Sequence, residues 1–390
     1  MEPNLVFRMG FPRLDVKLPI AIAVSIYEKK YIRQAYPNLS VVTGKENHWK
    51  SHTKFTMTRT ESQEQSGNVF RMAEYNEAYW EEYMSVRADY SDDFYEQIIE
   101  FHKAHNQGRT EGVAHDVGTG PGQVATELAK HFDLVVGSDT NDAHIAIAAN
   151  RVKDSDLRNR ITWDFSGAED LWMRHPPRSA SMLTAAECLP LLDVPRAMNS
   201  FAELLRPGGT LAIWFYGRLH FSEPEYAAKC QPIFNDIIDM TFARSMKNGN
   251  QAVKDAWKNA CDTLESWLDN VAMPSDVWQN VHRYKWNTHL AMTPTGPNAC
   301  DFPIEVSSAV DEREEKIIKL EDPRLWEKNW NHEKLRKFVD HMVPSFQELK
   351  ENGAFQHIEP KYQELEEAMG GKDAKRSFTW PVVLILATRA

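Results

Sequence analysis

The stretch HDVGTGPGQVATELAK, residues 115–130, carries three glycines at alternate positions between an apolar run and a helical pattern. The apolar run, 113–117, predicts a β-strand, and residues 123–131 predict a helix. Glycine adopts backbone conformations that other residues avoid, and it lets a ligand come close to the main chain. The stretch therefore predicts a strand, a ligand-binding turn and a helix, with the turn formed by Gly118, Gly120 and Gly122.

Strand and helix patterns alternate along this part of the chain. Two helices are predicted before the turn, and Ser91 with Asp92 marks the start of the second. The predicted strands are 113–117, 134–138, 161–165, 181–185 and 210–216, with further helices at 141–152 and 197–205. Strands separated by helices of this length predict an α/β fold with a parallel, doubly wound sheet. The sequence RPGG at 206–209 predicts a helix end and a turn before the fifth strand.

Beyond residue 217 two long segments interrupt this alternation. We divide the chain into an extension without clear period (1–66), a core (67–217) and a first helical insertion (218–278). A sixth strand (279–287), a second insertion (288–371) and a terminal strand (372–390) follow, and the terminal strand completes a seven-stranded sheet. Because the sixth strand is predicted to run parallel to the first five, both insertions start at the sheet edge of the glycine turn and form a lid there.

Charge and composition argue against several kinds of partner. The formal net charge is −11 at pH 7, whereas nucleic-acid binding needs a basic surface. The apolar run at 18–27 is about half of the ~20 residues that a membrane span needs, and no cleavage signature follows it closely. We therefore expect no nucleic acid, no membrane segment and a cytoplasmic location, and a homodimer is left open.

The cysteines predict neither a metal site nor a disulfide framework. Cys188, Cys230, Cys261 and Cys300 lie far apart and form no CxxC pair. Metal-ligand spacing is absent, and disulfide frameworks belong to smaller secreted domains.

The residues around the turn narrow the choice of ligand. A dinucleotide-binding turn of the form GxGxxG would need glycine where this chain has Gln123, and no lysine–serine pair follows for a phosphate-binding loop. Asp139 ends the second strand, where its carboxylate can accept hydrogen bonds from two ribose hydroxyls. Asp116 precedes the turn and can organise an ammonium group. A nucleoside with an amino-acid tail fits this set, and S-adenosylmethionine is the predicted cofactor; a tight turn without a ligand is the alternative.

Several stretches resemble the class I S-adenosylmethionine-dependent methyltransferases, and among them the fungal trans-aconitate methyltransferase type. They are VRADYSDDFYEQIIEFH (86–102), DVGTGPG (116–122), VVGSDTNDAHIAIA (135–148), and MLTAAECLPLLD (182–193) followed by LRPGGTLAIWFYG (205–217). The resemblance covers residues 70–217 well and the later insertions loosely. It implies a Rossmann-like methyltransferase fold and methyl transfer to a small-molecule acceptor such as a secondary metabolite.

The resemblance also implies a set of cofactor-binding residues. In the family, the glycines of the turn line the cofactor, the residue matching Asp139 binds ribose, and the segment matching 166–169 flanks adenine. The backbone at the position of Ala186 contacts the methionine part. The whole set in this chain is Arg87, Asp116, Gly118, Gly120, Gly122, Asp139, Thr140, Ser166, Ala168 and Ala186.

Three positions depart from the family pattern. His115 stands where the family has an apolar residue inside the first strand, and we interpret it as a core histidine. Thr119 replaces a common cysteine, which should be harmless. Pro190 and Leu191 stand where the family has a His–Trp pair near the acceptor, which puts an aconitate-like acceptor in doubt.

Candidates for catalysis follow the fourth and fifth strands. Arg218 could hold an anionic acceptor and His220 could act as a base, although both could be solvated loop residues. Glu187 could be a pocket acid or the partner of an arginine. A carboxylate acceptor needs no base, and the lost His–Trp pair favours a hydroxyl or other neutral acceptor. The tryptophans of the insertions favour a ring-bearing acceptor, although core packing explains much of their number: Trp257, Trp267, Trp278, Trp286, Trp326 and Trp330.

Three functions are open on these grounds. The first is an enzyme that methylates a small molecule. The second is an enzyme that uses the same cofactor for a rearrangement or cyclisation without methyl transfer. The third is a non-catalytic module that senses the cofactor, and the acidic charge makes methylation of tRNA or protein the least favoured further option.

The glycine spacing together with Asp139 leads to a first prediction. The protein is expected to bind S-adenosylhomocysteine, the demethylated cofactor, in preference to NAD. Titration calorimetry with both ligands measures this, and NAD binding without affinity for S-adenosylhomocysteine would contradict the assignment.

Overall fold

The computed structural model describes residues 77–248, 250–342, 353 and 355–390. The extension predicted at 1–66 and the apolar run at 18–27 lie outside these residues. Two helices lead into the sheet, α1 (Glu77–Val86) and α2 (Asp92–His105). The hydroxyl of Ser91 accepts a hydrogen bond from the Phe94 amide at 3.3 Å, which caps α2 as the sequence predicts.

Alternating strands and helices form the core of the protein. The strands are β1 (Val113–Val117), β2 (Leu134–Asp139), β3 (Ile161–Phe165), β4 (Ala180–Ala186), β5 (Leu205–Tyr216), β6 (His220–Phe221), β7 (Trp278–Trp286), β8 (Glu315–Leu320), β9 (Lys328–Trp330), β10 (Arg376–Thr379) and β11 (Val382–Arg389). The crossover helices are α3 (Gln123–Leu128), α4 (Asp142–Arg151), α5 (Ser155–Arg158) and α6 (Val194–Leu204). The predicted alternation up to residue 217 is therefore confirmed, with shifts of a few residues at element ends.

The central sheet has the order β3-β2-β1-β4-β5-β11-β7-β8. Its strand pairs are parallel except those of β11, which runs antiparallel to β5 and β7. The sixth strand, β7, therefore runs parallel to the first five, as predicted. The sheet has eight strands, one more than the predicted seven, because β8 pairs in parallel with β7. β8 is charged and largely exposed, so its sequence carries little strand signal.

The first insertion is mainly helical, whereas the described part of the second combines helices, strands and long loops. The first holds α7 (Pro224–Asn248) and α8 (Gln251–Glu265), and the second holds α9 (His332–Asp340) and α10 (Glu359–Met369). Four 3₁₀ turns connect the elements, at Ala168–Met173, Leu189–Leu191, Pro297–Ala299 and Gln356–Ile358. No helix within the described ranges is long and apolar enough to cross a bilayer.

The prediction of a turn at RPGG, residues 206–209, is wrong. Leu205 pairs with Ala180 and Thr210 pairs with Met182, so residues 206–209 form a bulge inside β5. The helix before it ends at Leu204, one residue before the predicted end. Gly208 has a φ of +74°, a conformation that suits glycine and bends the strand.

The single terminal strand predicted at 372–390 is divided at Pro381. Proline has no amide donor, so the strand hydrogen bonding breaks at Pro381, which separates β10 from β11. β10 lies between β6 and β9 in a second, three-stranded sheet, whereas β11 crosses the middle of the central sheet. The ring of Phe378 in β10 packs 4.6 Å from Phe221 and 5.8 Å from Trp330, centroid to centroid. This small sheet joins both insertions to the core.

His115 lies in the core, as we interpreted it. Its side chain is completely buried in β1, and its ring meets His175 edge-on at 4.7 Å. Burial, together with the neighbouring His175, holds the pKa of His115 well below its usual value. The ring is therefore neutral and packs as an apolar group. All four cysteines are free, and no cluster of metal ligands occurs among the described residues.

Candidate functional site

The glycine turn after β1 has the backbone that its sequence predicts. Gly118, Gly120 and Gly122 have φ values of +65°, +50° and +80°, in the left-handed region that glycine tolerates best. A Cβ built on Gly120 would meet no atom nearer than 4.0 Å, so this glycine faces open space. A Cβ on Gly122 would lie 2.8 Å from the Trp163 ring. Gly120 therefore leaves room for a ligand, whereas Gly122 allows α3 to pack against β3.

Asp116 ties the turn to its neighbours. Its carboxylate accepts hydrogen bonds from the Thr119 hydroxyl at 2.6 Å, the Thr184 hydroxyl at 2.9 Å and the Ala125 amide at 3.1 Å. Burial raises the pKa of Asp116 to about 6, against the lowering effect of these donors. Thr119, which replaces the family's common cysteine, thus closes the turn through its hydroxyl.

Asp139 stands at the end of β2 and faces the turn. One carboxylate oxygen accepts a hydrogen bond from the Gly120 amide at 3.0 Å, and the other accepts one from the Asn141 amide at 2.9 Å. The His144 ring lies 3.2 Å from the same carboxylate. These contacts fix the orientation of the carboxylate beside the space in front of Gly120.

A cavity of about 270 Å³ opens in front of these residues, at the carboxyl ends of the parallel strands. Nine of the ten predicted cofactor-binding residues line it, and the tenth, Gly122, lies behind the turn. The nine are Arg87, Asp116, Gly118, Gly120, Asp139, Thr140, Ser166, Ala168 and Ala186. Residues of both insertions line the other wall, which agrees with their predicted position as a lid: Phe242, Trp257, Ala260, Cys261, Leu264, Pro294, Phe338, His341 and Met342.

Arg87 joins the two walls of the cavity. Its guanidinium donates to the Tyr216 hydroxyl at 3.3 Å and to the His341 carbonyl at 2.6 Å, and it lies 4.5 Å from the centre of the Tyr83 ring. The Nε atom of Arg87 is buried without a hydrogen-bond partner. Arg87 thus holds the end of α1, β5 and the end of α9 together.

The predicted catalytic pair lies away from the cavity. Arg218 is 6 % exposed and donates from Nε to the Thr293 carbonyl at 3.3 Å. His220 accepts a hydrogen bond at Nε2 from the Ala291 amide at 3.2 Å, and burial lowers its pKa to about 4. Neither residue lines the cavity. Both are turned into the loop 291–293, so the position that we predicted for them at the ligand edge is wrong.

The chain is similar in sequence to several known proteins. Residues 114–209 match the methyltransferase domain family. The chain is 55 % identical over 334 residues, 85 % of its length and 100 % of the relative's, to "Methyltransferase pgmE" of Aspergillus terreus. The chain belongs to the methyltransferase family. This methyltransferase is also 35 % identical to "Methyltransferase ptaI" of Pestalotiopsis fici and 37 % identical to "Methyltransferase cfoB" of Aspergillus candidus. These matches cover 80 % and 81 % of the chain and 93 % and 96 % of the relatives.

The methyltransferase is of the S-adenosylmethionine-dependent class I type and acts on a small molecule. The geometry fits this cofactor. The space in front of Gly120 admits a ligand against the main chain, and the positively charged Arg87 lines the same cavity and suits a carboxylate. The Asp139 carboxylate borders the same cavity and suits ribose hydroxyls. When bound, the cofactor supplies an electrophilic methyl group. The non-methylating and cofactor-sensing alternatives are not favoured.

The sequence indicated only part of the cavity lining: Glu187 was named as a possible pocket acid, whereas the aromatic residues of α1 were not assigned to the site. Tyr79, Trp80 and Tyr83 of α1 line the cavity. Glu187 also lines it, and it has a φ of +56°, an uncommon backbone for a residue with a side chain. Spacing of apolar residues identifies a helix face but does not tell whether that face meets a core or a ligand.

The different surroundings of two glycines give a prediction for the cofactor site. Gly120→Val places a branched side chain in the cavity and is expected to weaken S-adenosylhomocysteine binding at least tenfold. Gly122→Ala meets Trp163 instead, so it should lower the melting temperature more than the affinity. Calorimetry and thermal unfolding of both variants measure the two effects, and equal losses of affinity would contradict this distinction.

The burial of His220 gives a second prediction. His220→Ala leaves the Ala291 amide without its acceptor, which should cost about 1–3 kcal/mol of unfolding free energy. Urea unfolding measures this cost. The affinity for S-adenosylhomocysteine and kcat should change little, and a large loss of kcat in a stable variant would restore a catalytic role for His220.

Proposed function

We propose that the protein transfers a methyl group to a hydroxyl on an uncharged, ring-bearing small molecule, with Glu187 as the general base. The position of Glu187 carries this proposal. It follows the carboxyl end of β4, directly after Ala186, and its side chain lines the cavity beside Tyr90 and Tyr216. Its Oε1 accepts a hydrogen bond from the Tyr216 amide at 2.7 Å, which fixes the side chain.

The electrostatics of Glu187 suit a base. Burial raises its pKa well above the usual range, against the lowering effects of the Tyr216 amide and of Arg87. A raised pKa makes the ionised carboxylate a stronger proton acceptor. In the proposed reaction, a bond forms between the acceptor oxygen and the methyl carbon while the carbon–sulfur bond breaks, and Glu187 takes the hydroxyl proton. Arg87, through the Tyr216 hydroxyl and the His341 carbonyl, keeps the walls around this point in place.

The lining of the cavity supports an aromatic, uncharged acceptor. Aromatic side chains come from α1, β5, both insertions and the segment after α1: Tyr79, Trp80, Tyr83, Tyr90, Phe215, Tyr216, Phe242, Trp257 and Phe338. Among the described residues that line the cavity, Arg87 is the one arginine or lysine, and Asp116, Asp139 and Glu187 are acidic. A polyanion such as trans-aconitate fits this charge poorly, so we disfavour the acceptor of the family type that the sequence resembles.

The position of the lost His–Trp pair agrees with this choice. Leu191, at the position that matches the tryptophan of the family's pair, lines the cavity. An apolar side chain there suits a ring better than a carboxylate. A secondary metabolite with a phenolic ring is the kind of acceptor that we propose. A cytoplasmic location, a homodimer and the absence of a nucleic-acid partner stay predictions.

The proposal is tested by turnover. Purified protein is incubated with S-adenosylmethionine and, in turn, 2-naphthol, 7-hydroxycoumarin and trans-aconitate, and the products are analysed by mass spectrometry. Methyl ethers of the phenols are expected, without a methyl ester of trans-aconitate. Ester formation without ethers would reject the proposed acceptor class while leaving the cofactor assignment intact.

The role of Glu187 gives a pH prediction. Only the ionised carboxylate accepts a proton, so activity should fall as the pH drops through the raised pKa of Glu187. Glu187→Gln keeps an oxygen for the Tyr216 amide but cannot take the proton, so kcat should fall by about 10²–10⁴-fold. Stopped assays across pH 5 to 9 measure both effects, with S-adenosylhomocysteine affinity as the control for folding. An unchanged pH profile in the variant would remove Glu187 from the mechanism.

A further inference from the structure

Tyr90 lies in the segment between α1 and α2, and its side chain lines the cavity. Its ring is held by other rings, edge-on to Trp214 at 5.5 Å and tilted against Trp326 at 5.1 Å, centroid to centroid. Phe94 of α2 lies at 6.1 Å. Aromatic contacts on several sides hold the ring in one orientation. The hydroxyl at its tip therefore has a fixed place as well.

The Tyr90 hydroxyl is accessible and unpaired. Within the described part of the chain it makes no hydrogen bond, and it is not among the unpaired polar atoms that are closed to solvent. The hydroxyl of its neighbour Tyr95, in contrast, is buried without a partner. The Tyr216 hydroxyl borders the same cavity but accepts a hydrogen bond from Arg87. Tyr90 thus offers the cavity a phenolic hydroxyl that no described residue uses.

The carboxylate of Glu187 belongs to the same part of the wall. The Glu187 amide donates to the Trp214 carbonyl at 3.0 Å, and Trp214 packs against the Tyr90 ring. The Tyr216 amide engages Oε1 of Glu187, whereas Oε2 makes no hydrogen bond among the described residues and is not closed to solvent. Burial raises the pKa of Tyr90 well above its usual value, and the Glu187 carboxylate raises it further. The Tyr90 hydroxyl therefore keeps its proton and stays a donor.

We propose that Tyr90 binds the acceptor oxygen together with Glu187. The Tyr90 hydroxyl donates a hydrogen bond to that oxygen. The free oxygen of Glu187 takes the acceptor's proton while the oxygen–methyl bond forms and the carbon–sulfur bond breaks. Tyr90 keeps its own proton throughout and stabilises the negative charge that develops on the acceptor oxygen. This inference rests on the proposed function, because it adds a second catalytic residue to the same reaction.

The test compares turnover of 2-naphthol and 7-hydroxycoumarin by the wild type, Tyr90→Phe and Tyr95→Phe. Tyr95→Phe is the matched control, because it removes a neighbouring hydroxyl that does not line the cavity. A hydrogen bond to a charged group is lost in Tyr90→Phe, so kcat/KM is expected to fall about 10- to 100-fold with both phenols. The affinity for S-adenosylhomocysteine should stay unchanged, and Tyr95→Phe should keep the wild-type rate.

Two further readouts separate a donor from a residue that only supports the fold. Tyr90→Phe keeps Glu187, so its remaining activity should still fall as the pH drops through the raised pKa of Glu187, whereas Glu187→Gln loses this dependence. 4-Aminophenylalanine incorporated at position 90 keeps an N–H donor at the tip of the ring. It is expected to recover most of the rate that Tyr90→Phe loses.

The possible failures can be told apart. Equal rates in the wild type and Tyr90→Phe would overturn the inference and leave the proposed phenol methylation in place. An equal loss in Tyr95→Phe, or no recovery with 4-aminophenylalanine, would also overturn it, because the loss would then come from packing. A wild type that methylates neither phenol would reject the proposed function itself, and the inference with it.

Discussion

The structure around the cavity depends on the buried carboxylate of Asp116. Three donors from three elements meet it, from the turn at Thr119, from α3 at Ala125 and from β4 at Thr184. A buried carboxylate that loses one of these donors is destabilised strongly, because no water replaces it. The turn, the helix and the strand therefore hold one another in a fixed arrangement. Gly120 lies in this turn and Glu187 follows β4, so both take their positions from elements that this contact joins.

The cofactor side of the site could be predicted because its signals are local. A strand, three glycines and an acidic residue at the end of the next strand lie within 27 residues, 113–139, and each is visible as a residue type at a fixed place in a regular pattern. Parallel strands then bring their carboxyl ends to one edge. The prediction for Arg218 and His220 used the same rule and was wrong for a reason that lies far away in sequence. Both side chains bond instead to the loop 291–293, Arg218 through the Thr293 carbonyl and His220 through the Ala291 amide.

The acceptor side could not be predicted, because it is assembled from segments that are distant in the chain. Arg87 lies 129 residues from Tyr216 and 254 from His341, yet its side chain binds both. Tyr79 and Tyr83 have the spacing of core residues, and their rings instead border the cavity beside His341, at 4.6 Å and 6.3 Å. The additional strand β8 was missed for a related reason. It lies at an edge and is largely solvated, so packing imposes no apolar alternation on it.

The position of β11 sets the order in which the sheet can form. β5 and β7 do not pair with each other; each pairs with β11, which comes later in the chain than both and is buried over nearly its whole length. During synthesis on the ribosome, the half of the sheet that contains β5 and the half that contains β7 cannot be joined until residues 287–381 and then β11 have been made. The main-chain edges of β5 and β7 that pair with β11 stay unpaired in that interval, so this fold is most vulnerable to aggregation just before its last strand arrives.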